Sequence, residues 1–151
     1  MPRFLIVDDD RDRHTLFDLL LAEFSGTVDH ARSNEEAIVM LRDARCPPIS
    51  VTTREDGTRD IKEPPGYDYD IIFLDHDNEF GRDFIGLAHW IRDCEPHFYS
   101  SRAPLFVVHS LNPDGAKNIE SILRGVELDV VRIEFGSCRM NHKTIAELLK
   151  L

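Results

Sequence analysis

The sequence predicts an α/β fold, a doubly wound five-stranded parallel sheet with helices on both faces. Three features carry this expectation. Short apolar runs of strand length alternate with segments whose apolar residues recur at helical spacing. Several of the runs stop abruptly at aspartate or histidine, as buried parallel strands do on reaching a polar edge. With 151 residues and 42% hydrophobic content, the chain has material for one core and no room for a second full domain, so residues 1–151 read as a single domain.

Phe4 to Val7 form the first apolar run, closed by Asp8-Asp9-Asp10. Leu16, Phe17, Leu20, Leu21 and Phe24 then mark an amphipathic helix over residues 11–24, ended at Gly26. The second strand is expected at Thr27 to Ala31. Ser33, followed three residues later by Glu36, is a capping box opening a helix with the apolar stripe Ala37, Ile38, Leu41 and Ala44, and Cys46-Pro47-Pro48 ends it. Residues 49–62 break the rhythm. Two polar, β-tolerant stretches flank Asp56-Gly57, a strong short-range hairpin signal, so an inserted β-hairpin is expected there.

After Pro64-Pro65-Gly66 the chain returns to a third strand at 69–74, expected at the centre of the sheet and delivering Asp75-His76-Asp77 to its end. A helix over 83–93 carries Phe84, Leu87, Ala88 and Ile91 on one face. Leu105 to Val108 supply the fourth strand, which stops at His109-Ser110. Pro113 stands where a first helical residue would, ahead of Ile119, Ile122, Leu123 and Val126. Val130, Val131 and Ile133 supply the fifth strand, and residues 144–151 a closing helix. Regular alternation of this kind implies right-handed crossovers.

Bulk properties exclude several roles. The 18 Lys and Arg against 28 Asp and Glu give a formal charge of -10, which disfavours coating an extended nucleic-acid backbone. Acid concentrated at one point could still recruit a divalent cation, which reverses the local sign and accepts a phosphate. No window approaches eighteen uninterrupted apolar residues, and Met1 to Val7 runs straight into three aspartates, unlike a signal peptide. A cytoplasmic protein without membrane contact is expected. Cys46, Cys94 and Cys138 are odd in number and far apart, which suggests neither a disulfide framework nor a cysteine zinc site.

In a doubly wound sheet, ligands bind beyond the carboxyl ends of the strands where strand order reverses. Those places hold Asp8-Asp9-Asp10, Asp75-His76-Asp77 and His109-Ser110-x-Asn112. Order and motifs together resemble the receiver domain of two-component response regulators, a flavodoxin-like (βα)5 fold. The resemblance implies that Asp8 and Asp9 are the acid pair that holds Mg²⁺, that Asp75 is the phospho-acceptor, and that Ser110 is the hydroxyl sensing the phosphoryl group. It also implies a lysine at the end of the fifth strand, but Arg132-Ile133-Glu134-Phe135-Gly136-Ser137-Cys138 contains none. Arg132 and Arg139 are the candidate substitutes. Leu74-Asp75-His76-Asp77 and His109-Ser110-Leu111-Asn112-Pro113-x-Gly115 are similar to the divergent branch called the cyclic-phosphate processing receiver domain, which implies action on cyclic phosphate ends of nucleotides or RNA.

The residues support such chemistry, each beside a plainer reading. Asp8, Asp9 and Asp75 would repel one another if brought together, which a hard divalent cation such as Mg²⁺ relieves, with a backbone carbonyl near Asp77 as a further ligand. Alternatively some of these acids cap helices, as Asp10 does if it precedes the first. His76 and His109 end adjacent strands and could divide proton transfer, one activating water and the other protonating the leaving oxygen; or each merely hydrogen-bonds a neighbouring loop. Ser110 and Asn112 could donate to phosphoryl oxygens, with Gly115 letting backbone approach, or both could be caps ahead of Pro113. His14, His30, His89, His97 and His142 read as surface or helix residues, and Trp90 as partly buried packing. Arg54, Arg59 and Lys62 make the hairpin a solvated decoration or a contact to a nucleotide. The expected ligand is a phosphorylated small molecule or a nucleotide or RNA end. The competing expectation is a non-enzymatic atypical receiver acting on a protein partner.

Overall fold

The computed structural model describes residues 1–46, 51–61, 66–76, 84–94, 103–110, 112–134 and 139–150. In chain order these form β1 (Arg3–Val7), α1 (Arg11–Leu21) with a 3-10 turn at Ala22–Phe24, β2 (Thr27–Ala31), α2 (Asn34–Asp43), β3 (Arg45–Cys46), β4 (Val51–Thr53), β5 (Arg59–Ile61), β6 (Gly66–Tyr67), β7 (Ile71–Asp75), α3 (Ile85–Cys94), β8 (Leu105–His109), α4 (Pro113–Arg124), β9 (Val130–Arg132) and α5 (His142–Leu148). Asp77, Leu111, both proline pairs, residues 135–138 at the end of the fifth strand, and the three cysteine side chains lie outside the described residues and side chains.

Five strands make one parallel sheet in the order β2-β1-β7-β8-β9. The chain starts at β1, moves outward to β2, then crosses back past β1 to β7. Strand order therefore reverses between β1 and β7, and the crevice beyond their carboxyl ends is where a doubly wound sheet accepts ligands. Both strands are nearly continuous apolar runs because both faces of the sheet are covered.

Alternation along the strands divides the core into two layers. Leu5, Val7, Ile72, Leu74, Phe106 and Val108 pack with Ala37, Leu41, Leu87, Ile91, Ile119 and Leu123 from α2, α3 and α4. Phe4, Ile6, Ile71, Phe73 and Val107 pack with Phe17, Leu21 and Ile145 from α1 and α5. Fully burying one such large side chain contributes on the order of 1.5–3 kcal/mol, so the two layers hold the strand ends firmly in register.

The expected elements are all present, with local differences that have physical causes. The first helix ends earlier, in a 3-10 turn, and Ser25 rather than Gly26 takes the left-handed conformation at φ 51°. Its buried face is also rotated: Leu16 is 51% exposed, whereas His14, Phe17 and Leu21 face inward. Ser33 Oγ accepts from the Glu36 N–H at 3.1 Å, while Glu36 reaches back to the Arg32 N–H at 2.8 Å, completing the predicted capping box one residue early. The insertion is larger than a hairpin. Arg45–Cys46 pairs antiparallel with Gly66–Tyr67 at its base, and β4 pairs with β5 around Asp56-Gly57, with Gly57 at φ 84° in the turn. Described side chains at 52–60 are exposed, and Arg54 pairs with Asp60 across the strands.

No helix among the described residues is long and apolar enough to cross a membrane.

Candidate functional site

The sheet edge between β1 and β7 is built by the strand ends themselves. The Asp8 N–H donates to the Ala31 carbonyl at 3.0 Å, extending the β1–β2 ladder by one residue and fixing the Asp8 side chain inside the molecule. Asp8 Oδ1 accepts the Asp10 N–H at 2.9 Å. Asp10 then caps α1, its Oδ1 accepting from the N–H groups of Asp12 and Arg13. The turn from strand to helix is thus set by two aspartates, and Asp10 takes the capping role foreseen for it. On β7, Asp75 lies in register with His109 on β8, so both side chains emerge on the same face.

Asp8, Asp75 and His109 form one buried cluster whose potential ligand atoms lie within 4.8 Å of one another. His109 Nδ1 stands 3.8 Å from Asp8 Oδ2, and the Phe17 ring closes over the imidazole at 5.0 Å between centroids. Burial is the main reason that Asp8 is pushed up to about 6; the Asp10 N–H and Arg13 oppose the shift, and the charges of Asp9 and Asp10 reinforce it. Burial, seconded by the charges of Arg13 and His14, pushes His109 down to about 3. At neutral pH His109 is therefore a neutral nitrogen donor facing two carboxylates.

That donor set fits a divalent cation. Hard ions such as Mg²⁺ take carboxylate oxygens, and a neutral imidazole nitrogen beside them also suits Mn²⁺. A stand-in cation occupies the same cluster: Arg13 from α1 places Nε 3.0 Å from Asp8 Oδ2 and Nη2 3.0 Å from Asp75 Oδ2, with Asp9 Oδ1 at 3.8 Å. The site thus draws positive charge with the protein's own side chain.

The second histidine is placed differently. The His76 imidazole lies flat against Gly115 at the start of α4, so closely that a Cβ on residue 115 would overlap the ring. Gly115 thus makes room for an imidazole, where the sequence reading has it letting the backbone approach a phosphoryl oxygen. His76 packs on the α4 side of the sheet, whereas His109 lies against Phe17 of α1 on the other. The expected pairing of two imidazoles across one bond does not follow from this arrangement. Replacing Gly115 with alanine is expected to destabilise the protein by about 1–3 kcal/mol through overpacking and to unseat His76. Chemical denaturation together with the His76 ring resonances in NMR checks both effects.

Of the two readings open for Asn112, the cap is the one seen: Asn112 Oδ1 accepts the Gly115 N–H at 3.2 Å, and Ser110 Oγ accepts the Asn112 N–H at 3.0 Å. Both can serve a ligand only with their remaining donors. Arg132, a candidate for the missing lysine, stands at the surface with Nε 4.0 Å from Glu120. Arg139 is exposed.

Two further residues at the site carry no motif in the sequence that marks them. Arg13 is four residues after Asp9 and three after Asp10, the helical spacing that brings a side chain back over the first turn. His14, which the sequence offers as a surface or helix residue, lies in α1 but is buried, three residues before Phe17, and donates Nε2–H to the Asp8 carbonyl oxygen at 2.6 Å. Its Nδ1 contacts His30 Nδ1, and His30 Nε2 reaches Asp18 at 2.8 Å, so a polar chain leads from the site to the surface.

Solved structures of similar fold include the response regulator TrrA of Thermotoga maritima in complex with Mg²⁺-BeF, with 18% identity, coverage of 98% of this chain and 99% of that one, and TM-score 0.57. CheY4 of Vibrio cholerae matches at 14% identity over 99% and 97%, TM-score 0.59. The non-phosphorylated HemR receiver domain of Leptospira biflexa matches at 14% over 100% and 96%, TM-score 0.62. At these identities the likeness is one of fold. No curated protein matches the chain. The family described as the cyclic-phosphate processing receiver domain matches residues 3–125, which span the acidic turn, Asp75, both histidines and the whole of α4, and the chain belongs to that family.

Proposed function

We propose that the crevice between β1 and β7 binds a divalent cation on Asp8, Asp9 and Asp75 and takes a phosphate ester for hydrolysis, a cyclic phosphate at the end of a nucleotide or RNA. The observation that carries this reading is the buried Asp8, Asp75 and His109 cluster at the reversal point of the sheet. The family's description supports the cyclic-phosphate class.

Because the two histidines lie apart, we assign them different roles. His109, neutral and enclosed, would offer the cation a fourth donor. His76, directly after Asp75 at the end of β7 but on the α4 side, is assigned proton transfer from that side of the crevice. In the reaction, one water adds to phosphorus, the bond from phosphorus to one sugar oxygen breaks, and that oxygen leaves with a proton. The cation, when bound, would offset charge on the phosphoryl oxygens. Ser110, 5% exposed and directly after His109, supplies a hydroxyl at the same edge.

The test is turnover of 2′,3′-cyclic nucleotides and cyclic-phosphate-ended oligoribonucleotides with Mg²⁺ or Mn²⁺, followed by chromatography of the monophosphates. Hydrolysis is expected, with His76→Ala and Asp75→Asn each lowering it by about a hundredfold or more. Absence of turnover and of binding across a panel of cyclic and linear phosphates would reject the enzyme. Stable labelling of Asp75 by acetyl phosphate would instead favour a receiver that acts by contact with a partner protein.

A further inference from the structure

The guanidinium of Arg13 lies where a cation of the proposed site would lie. Its Nε is 3.0 Å from Asp8 Oδ2 and its Nη2 donates to Asp75 Oδ2 at 3.0 Å; Asp9 and Asp10 each stand 3.8 Å away. Its side chain is 17% exposed, between carboxylates that are 0% and 1% exposed. The oxygens that it contacts are among those a divalent ion would take as ligands, and a positive ion beside an unmoved guanidinium would be repelled at close range in a poorly hydrated site. The two cations therefore exclude each other.

The tether makes exchange feasible. Arg13 sits in the first turn of α1, and its long side chain can leave the carboxylates for solvent by rotamer change without breaking the helix, whose cap on Asp10 uses the Arg13 backbone N–H and not its side chain. Without some cation, the buried carboxylates of Asp8 and Asp75 would repel each other at close range.

We propose that Arg13 is a built-in competitor for the divalent cation: it neutralises the carboxylates when the site is unloaded, must be displaced for the ion to bind, and so sets the ion concentration at which the site becomes competent. This rests on the cation site proposed above, and metal affinity is measured directly so that the two can fail separately. The experiment is Mn²⁺ binding followed by the EPR signal of free Mn²⁺ at low ionic strength, for the wild-type chain, Arg13→Met and Arg13→Lys, with thermal unfolding of each in chelator and in Mn²⁺. Arg13→Met is expected to bind Mn²⁺ about tenfold or more tightly, since a competing charge is gone. It should also melt lower than wild type in chelator and recover more on adding Mn²⁺, because a ligand that binds only the folded state stabilises in proportion to its affinity. Arg13→Lys, which keeps the charge on a different head group, should bind close to wild type and keeps the test open if the methionine variant does not fold. Mn²⁺ binding by Arg13→Met equal to or weaker than wild type overturns the competitor role alone. Absence of Mn²⁺ binding in all three overturns the cation site and this role with it.

Discussion

Replacing Asp8 with asparagine is expected to stabilise the chelator-treated protein at pH 8 while weakening Mn²⁺ binding by about a hundredfold, through loss of one charged ligand. The stability sign follows from the upward shift of Asp8 to about 6 from an ordinary 3.8. A carboxyl whose folded value is raised favours the folded state when protonated. That contribution is fully present below 3.8 and is lost as pH rises through 6, so at pH 8 the charged Asp8 costs up to roughly 3 kcal/mol relative to the unfolded chain. Asparagine keeps an acceptor for the Asp10 N–H and leaves Arg13 to Asp75. The gain should shrink as pH is lowered toward 4. A variant less stable than wild type at pH 8 would show that Asp8 is not held against its preference. Urea unfolding across pH 4–8, with Mn²⁺ titration at pH 8, measures both.

His109→Phe should show the opposite pH dependence. The folded value of about 3 lies below the ordinary 6.5, so His109 favours folding when neutral; its contribution is present above 6.5 and is lost as pH falls toward 3. Phenylalanine does not titrate and can stack on Phe17. In chelator, the stability of the variant relative to wild type should therefore rise by about 2–3 kcal/mol between pH 6.5 and 4.5. Asp8 is present in both proteins, and its opposite linkage largely cancels from the difference. A difference that stays flat over this range would mean that His109 is hydrated in the folded protein.

The architecture was readable because its signals are local. Val7 stopping at Asp8, Leu74 stopping at Asp75, and Ser33 with Glu36 are patterns that backbone hydrogen bonding and burial impose within a few residues. The acidic turn and Asp75 could be placed in one crevice because a doubly wound sheet fixes where strands end. The placement of individual side chains was less readable, because it depends on packing between elements. His14 lies on the buried face of α1 only because that face is rotated away from Leu16, a matter of how the helix settles on Phe73 and Val107. The space under Gly115 goes to His76 because α4 approaches that close to the end of β7. Arg13 is not singled out by the receiver resemblance, which points to the fifth strand for a cation, although its helical spacing from Asp9 brings it over the first turn of α1.

The most direct test is crystallisation with Mn²⁺ and location of the ion by its anomalous scattering. One ion is expected within bonding distance of both Asp8 and Asp75, with a nitrogen of His109 turned toward it. Density only at surface carboxylates, with none at the strand-end cluster, would contradict the site.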